Sequence, residues 1–197
     1  MIHGEVTHGG IKRVFVEEID GQLQGCVFRF IQGLEAGINR IAWGPKGDLY
    51  AGGIGNPGNW AQNGKLHYGL QRLVFNGKPT FEMLAVRAKS NGMEIEFTEP
   101  LAPSDGWNVD DFEVKQWYYK PTIEYGGPKL DDKKLKIKSA TVSDDRKRVF
   151  LEFDGQKDNH MIYIRLKKHF VSDAGRELWS TEAWYTMNKV PSIKGEV

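Results

Sequence analysis

The stretch Gly37-Ile38-Asn39-Arg40-Ile41-Ala42-Trp43-Gly44-Pro45-Lys46-Gly47-Asp48-Leu49-Tyr50-Ala51-Gly52-Gly53-Ile54-Gly55 decides the reading of this chain. It predicts two short β-strands, Ile38 to Trp43 and Asp48 to Gly53, around a Gly-Pro-Lys-Gly-Asp turn whose proline presets φ and whose glycines tolerate positive φ. Working outward, Ile11 to Glu18, Leu23 to Ile31 and Leu70 to Asn76 read as further strands. Asp20-Gly21 joins the first two of these by the tight turn that a hairpin needs. The first part of the chain is thus an antiparallel β-meander.

Composition changes near Lys78-Pro79-Thr80: 16 of the 23 glycines precede it, which places a domain boundary there. Beyond it the strands are Met83 to Ala88, Met93 to Phe97, Phe112 to Tyr119, Leu135 to Val142, Val149 to Phe153, Met161 to Leu166 and Glu182 to Met187. Ser90-Asn91-Gly92, Ser143-Asp144-Asp145 and Asp154-Gly155 are turns. Short strands at even spacing predict an immunoglobulin-like β-sandwich. Only Pro128 to Lys134 and Ser172 to Trp179 are read as helical turns. The expected fold class is all-β: a partial β-propeller blade sheet in 1–78, an immunoglobulin-like sandwich in 79–190, and a flexible tail in 191–197. A closed propeller takes roughly four to eight blades of about four strands, and the first region has room for one or two.

Composition excludes several function classes. The net charge of +1 over 197 residues provides no basic surplus for a phosphate backbone, so no nucleic-acid partner is expected. No stretch approaches the roughly 18 apolar residues of a spanning helix, and no signal peptide opens the chain. Cys26 stands alone in an alternating strand and reads as a buried apolar thiol. The five histidines lack ligand spacing, so no metal site is expected. Ser104 to Asp111 gathers three carboxylates and an amide but misses the calcium-loop spacing, and reads as an acidic turn. No Gly-x-Ser-x-Gly occurs, and no Gly-Lys-Ser/Thr follows the glycine-rich loop.

Several strings in order carry a family resemblance: Val6-Thr7-His8-Gly9-Gly10, Arg13-Val14-Phe15, Gly37 to Gly53, Gly69-Leu70-Gln71-Arg72-Leu73, Phe81-Glu82-Met83, Gly92-Met93-Glu94-Ile95-Glu96-Phe97 and Glu182 to Asn188. The chain resembles the carboxy-terminal part of secreted bacterial proteins with a glucose/sorbosone dehydrogenase-like β-propeller. The resemblance implies last propeller blades followed by an immunoglobulin-like module, from a secreted or periplasmic parent. It also implies that calcium or pyrroloquinoline quinone belongs to the complete parent, because the quinone is held by several blades. No cofactor is expected in this chain alone.

Candidate ligand-binding residues follow from strand position and side-chain chemistry. His8 follows a short strand, Asn39 and Arg40 open another, and Gln71 and Arg72 lie on the next. Arg offers a planar fork of donors, and His exchanges a proton near neutrality. Gly55 to Tyr68 is a long polar loop in which Trp60 and Tyr68 offer faces to a pyranose ring, while Asn56, Asn59, Gln62 and His67 supply hydrogen bonds. The alternative is that Trp60 caps an apolar edge. Trp117-Tyr118-Tyr119 and Trp184-Tyr185 are aromatic clusters in which alternation sends one neighbour into the core and the other outward. The chain is expected to be a non-catalytic binding or assembly module, with carbohydrate as ligand and strand pairing between copies, or upstream blades, as the route to assembly. The alternative is an enzyme acting on sugars or lactones, as a metal-assisted hydrolase or part of a quinone-dependent dehydrogenase.

Overall fold

A computed structural model describes residues 1–55, 64–124 and 126–192. The chain is all-β, with three antiparallel sheets, none closed among the described residues. In chain order the strands are β1 (Ile2–Glu5), β2 (Gly10–Ile19), β3 (Gln22–Ile31), β4 (Gly37–Trp43), β5 (Leu49–Ile54), β6 (Tyr68–Leu73) and β7 (Met83–Lys89). They continue with β8 (Gly92–Phe97), β9 (Phe112–Tyr119), β10 (Lys129–Leu135), β11 (Ile137–Val142), β12 (Arg148–Phe153), β13 (His160–Leu166) and β14 (Glu182–Met187). The strand orders are β1-β2-β3-β14-β13-β9-β10, β11-β12-β8-β7 and β4-β5-β6.

The chain divides into two compact units: residues 1–14 with 28–79, and residues 15–27 with 80–197. The β2–β3 hairpin is shared, its base counted with the first unit and its tip with the second. Asp20 (φ 49°) and Gly21 (φ 78°) are both left-handed, as a two-residue hairpin turn demands. The first region is therefore not one meander, because β1, β2 and β3 belong to a different sheet from β4, β5 and β6.

In the first unit, Ile11, Leu34, Ile38, Leu49 and Ala51 form a buried cluster, with Ile2, Phe30, Ile31, Ile41 and Leu73 packed against it. Period two then assigns the sheet faces. Leu49, Ala51 and Gly53 of β5 face this core, and Tyr50, Gly52 and Ile54 face away. A bulge between Ile38 and Arg40 lets both Ile38 and Ile41 point inward.

In the second unit each sheet buries one alternating set. Met93, Ile95 and Phe97 of β8 and Val149, Leu151 and Phe153 of β12 are buried in one sheet. Phe112 and Val114 of β9, Ile162, Ile164 and Leu166 of β13, and Ala183, Tyr185 and Met187 of β14 are buried in the other. Cys26 is fully buried, as its alternating strand requires. The hairpin tip is fastened by Glu17, whose Oε1 accepts from the Ala88 N–H at 2.8 Å and the Tyr185 hydroxyl at 2.5 Å. Burial, then the Glu17 carboxylate, raise the Tyr185 phenol well above its ordinary value.

Two expectations are corrected. Residues Pro128 to Lys134 form no helical turn; β10 occupies 129–135, pairing with β9 around a bulge at Asp131, which has φ 51°. Ser172 to Trp179 holds a tight turn rather than a helix: the Gly175 N–H donates to the Ser172 carbonyl at 2.8 Å, Gly175 has φ 75°, and Val171 bridges Glu177 across it. In the acidic turn at Ser104 to Asp111, the Asp105 carboxylate is satisfied by protein donors. Asp105 is 4% exposed, and accepts from Lys168 Nζ at 2.9 Å and the Val171 N–H at 3.0 Å. Burial pushes the Asp105 carboxyl up, but these bonds outweigh it and hold the group below the usual range.

Glu17→Ala leaves the Ala88 and Tyr185 donors without their acceptor, a loss on the order of 1–3 kcal/mol for a buried orphan. Urea unfolding of Glu17→Ala, Tyr185→Phe and the double variant will show the double costing less than the sum of the singles. Asp105→Asn will lower stability at neutral pH. Because the folded pKa is depressed, the gap to wild type is full above the ordinary aspartate value of about 3.9 and closes as pH falls through the depressed one. Acid titration of unfolding midpoints checks it.

Candidate functional site

The outward face of the β4–β5–β6 sheet collects three of the residues singled out from sequence. The register places Arg40 opposite Gly52 and Gly52 opposite Leu70; Ala42 pairs with Tyr50 and Tyr50 with Arg72; Ile54 pairs with Tyr68. Side chains on paired residues share a face, so Arg40, Tyr50, Ile54, Tyr68, Leu70 and Arg72 stand together. Tyr68 is 71% exposed, Leu70 76% and Ile54 52%. Gly52, at the centre, is a one-residue notch: Tyr50 and Ile54 flank it along β5, Arg40 and Leu70 across the strands.

Local geometry fixes the walls of this notch. A Cβ at Gly44 would lie 2.6 Å from Cε2 of Tyr50, so the tyrosine ring rests over that glycine. The turn beside it is closed by the Gly44 N–H donating to the Asp48 carbonyl at 2.8 Å, with Gly47 at φ 81°. Asp48, 8% exposed, accepts from Arg72 through Nε at 2.8 Å and Nη2 at 2.5 Å. The Asp48 hydrogen bond, then its charge, raise Arg72 above its ordinary pKa, so the guanidinium is a fixed cation. Arg40 Nη1 donates to the carbonyl and to Oδ1 of Asn39 at 3.0 and 2.8 Å.

The other candidates fall elsewhere. Asn39 sits in the β4 bulge and serves as acceptor for Arg40. His8 belongs to the β1–β2 turn, where its N–H donates to Glu5 Oε2 at 2.9 Å and its Nδ1 lies 3.5 Å from the same oxygen. Burial pushes the Glu5 carboxyl up, but the N–H groups of His8 and Thr7 outweigh it and hold it below its usual value. His67 is exposed at the entry to β6. Asn59 and Trp60, with Asn56 and Gln62, lie outside the described residues.

Glu35 is the residue that sequence reasoning missed. Its Oε2 accepts from the Leu66 N–H at 2.7 Å, its Oε1 lies 3.6 Å from Lys65 Nζ, and its own N–H donates to Gln71 Oε1 at 2.7 Å. It thereby anchors the approach to β6. Gly53 and Gly69, paired across β5 and β6, admit it: a Cβ on Gly53 would lie 2.5 Å from the Glu35 carbonyl oxygen, and one on Gly69 3.1 Å from its Cβ. That glycine pair was the available signal.

The two aromatic clusters of the second unit resolve differently from each other. Tyr185 enters the core and Trp184 does not, as alternation requires. Trp117 pairs with Met161 on the outward face of its sheet, yet is only 4% exposed. Lys129 Nζ sits 3.8 Å from its ring centroid, and Tyr119 and Tyr163 flank it at 6.4 and 6.3 Å. Its ring face is already taken by the chain's own cation. Burial and the Glu182 hydrogen bond push the Tyr163 phenol up to about 12.

On the β4–β5–β6 face the carboxylate, Asp48, is spent on Arg72. Ring stacking and hydrogen bonding are what the described residues there supply. Arg72→Met keeps the aliphatic stem but leaves Asp48 buried without its cation; the urea midpoint of the variant will fall, and Asp48→Asn in the same chain will recover part of the loss.

No protein-family model, curated protein or solved structure matches this chain.

Proposed function

We propose that this chain is a non-catalytic carbohydrate-binding module whose ligand seats on the outward face of the β4–β5–β6 sheet. The observation that carries this reading is the exposed notch over Gly52, bordered by Tyr50, Ile54, Leu70 and Arg40, with Tyr68 at 71% exposure beside it. A pyranose presents an apolar C–H face and a rim of hydroxyls. Tyrosine rings take the first, and an arginine with open N–H groups takes the second.

The proposed lineage is the glucose/sorbosone dehydrogenase-like propeller proteins, from a secreted or periplasmic parent. The β4–β5–β6 meander supports the reading as a blade, one strand short of the roughly four that a blade has. The orders β11-β12-β8-β7 and β10-β9-β13-β14 support the immunoglobulin-like reading, since constant-type sandwiches order their strands D-E-B-A and C-F-G. No helix among the described residues is long and apolar enough to cross a membrane.

Affinity electrophoresis and calorimetry against a panel of neutral and acidic polysaccharides test the proposal. Gly52→Val is the informative variant: an added Cβ meets only Arg40 atoms at 3.8 Å, an ordinary contact, so the sheet folds while the notch is filled. Wild type will bind without turnover of sugar or lactone substrates, with or without calcium or pyrroloquinoline quinone. Gly52→Val and Tyr68→Ala will each lose at least tenfold in affinity, equivalent to about 1.4 kcal/mol. Absence of glycan binding, or binding untouched by Gly52→Val, refutes the site.

A further inference from the structure

The ends of the sheets are not alike. β10 carries Lys129, Lys133 and Lys134 and a bulge at Asp131. β11 is bulged between Ile137 and Ser139 beside Lys138, β7 between Met83 and Ala85, and β4 between Ile38 and Arg40. β1 is only four residues long. Each is a device that discourages another strand from adding to the edge. β6 has none: its six residues pair with β5 in unbroken register, and it contains neither lysine nor proline. Its outward side chains Tyr68 and Leu70 are among the most exposed apolar groups described, and Val74 and Phe75, 62% and 81% exposed, follow directly.

We propose that β6 is the strand through which two copies of this chain pair, antiparallel and about a two-fold axis at Leu70. Residues facing each other across an antiparallel pair share a face, so a two-fold axis between strands must pass at a residue position rather than between residues. Centred on Leu70, the register sets Leu70 against Leu70 of the second copy, and Tyr68 against its Arg72. Both contacts are favourable. The Arg72 guanidinium bonds Asp48 along its edge and leaves its planar face for the tyrosine ring, the geometry of a cation–π contact. Centring on Gln71 instead sets Leu70 against Arg72 and loses both. Centring on Gly69 sets Tyr68 against Leu70 but takes Arg72 away from the tyrosine, so only the Leu70 axis gives Tyr-Gly-Leu-Gln-Arg both the leucine pair and the cation–π pair in a self-complementary, isologous interface.

The pairing joins two three-stranded sheets into one of six strands. A strand pair of this length buries less than the roughly 1,600 Å² of a standard interface, so the dimer is concentration-dependent. It shares Leu70 and Tyr68 with the proposed glycan face but does not rest on glycan binding, since its tests read mass and cross-linking and Gly52→Val leaves the β6 edge intact.

Sedimentation equilibrium of the full chain through a dilution series is the first test. The expected result is a reversible shift between 22.4 kDa and twice that mass, with Leu70→Lys held as monomer by two ammonium groups meeting on the axis. Leu70→Cys under mild oxidation will give a covalent dimer on a non-reducing gel, because Cα atoms facing across an antiparallel strand pair lie about 4.5 to 5.5 Å apart, within disulfide reach. Buried Cys26 stays out of the exchange. Leu84→Cys, on the exposed side of β7, controls for random collision and will remain monomeric. A wild-type monomer at every concentration, a dimer that survives Leu70→Lys, or equal cross-linking through residues 70 and 84 overturns the proposal. A partner strand from another protein gives the first of these outcomes.

Discussion

Burial of one face per sheet constrains everything else in this molecule. In the first unit the contact among Ile11, Leu34, Ile38, Leu49 and Ala51 fixes which side of β4, β5 and β6 is inward. A slip of one residue would exchange the two faces, putting Tyr50 and Arg72 into the core and Leu49 and Ala51 into water. The β4 bulge is the second half of this constraint. Strict alternation from Ile38 would set Arg40 and Ala42 on the inward side and Ile41 outward. The extra residue, Asn39, resets the phase, so that Ile41 meets Ala51 and Arg40 stands beside Gly52.

Three carboxylates that reach the interior are held by pairing. Glu17 accepts a backbone and a phenolic donor, Asp105 a backbone N–H and an ammonium, and Asp48 two N–H groups of one guanidinium. An unmatched group would cost its full desolvation, whereas a matched one adds a modest gain and fixes geometry. Each of these carboxylates therefore ties a loop or strand end that apolar packing leaves loose. Asp48 does so at the turn that starts β5, which is why Arg72 is held in place on the exposed face.

Strong local signals carried most of the fold. β9 and β14 have the bounds that alternation marked, and Asp20-Gly21 adopts the turn that its glycine invites. β6 begins two residues before Leu70, because Tyr68 and Gly69 continue the pairing with β5. β10 was hidden by its own edge chemistry: lysines and aspartates erase the apolar period, and the Asp131 bulge breaks what remains. β1 is too short to show a period. In the site, Arg40, Tyr68 and Arg72 were readable because strand register alone brings them together. The partner of His8 is a glutamate three residues away in a turn, and the role of Glu35 depends on two distant glycines opening a gap. The first is local but sits in a turn too short to show a pattern, and the second is written in no local window.

The two units differ in what their outward faces leave available. Trp117 offers the second unit an aromatic platform, but Lys129 lies over it, and Glu113 on the same strand is bridged to Lys134 and Lys115 at 2.8 and 3.4 Å. That face meets its own needs, and a ligand there would first have to displace a cation from a ring. Across the β4–β5–β6 face the cation–carboxylate pair is at one end, between Arg72 and Asp48, while the middle is glycine, tyrosine and leucine with Arg40 beside them. A ligand there would displace no ring-bound cation, and each Å² of apolar surface it covered would be favourable by about 25 cal/mol. The proposed ligand face is the one that the fold has not already occupied.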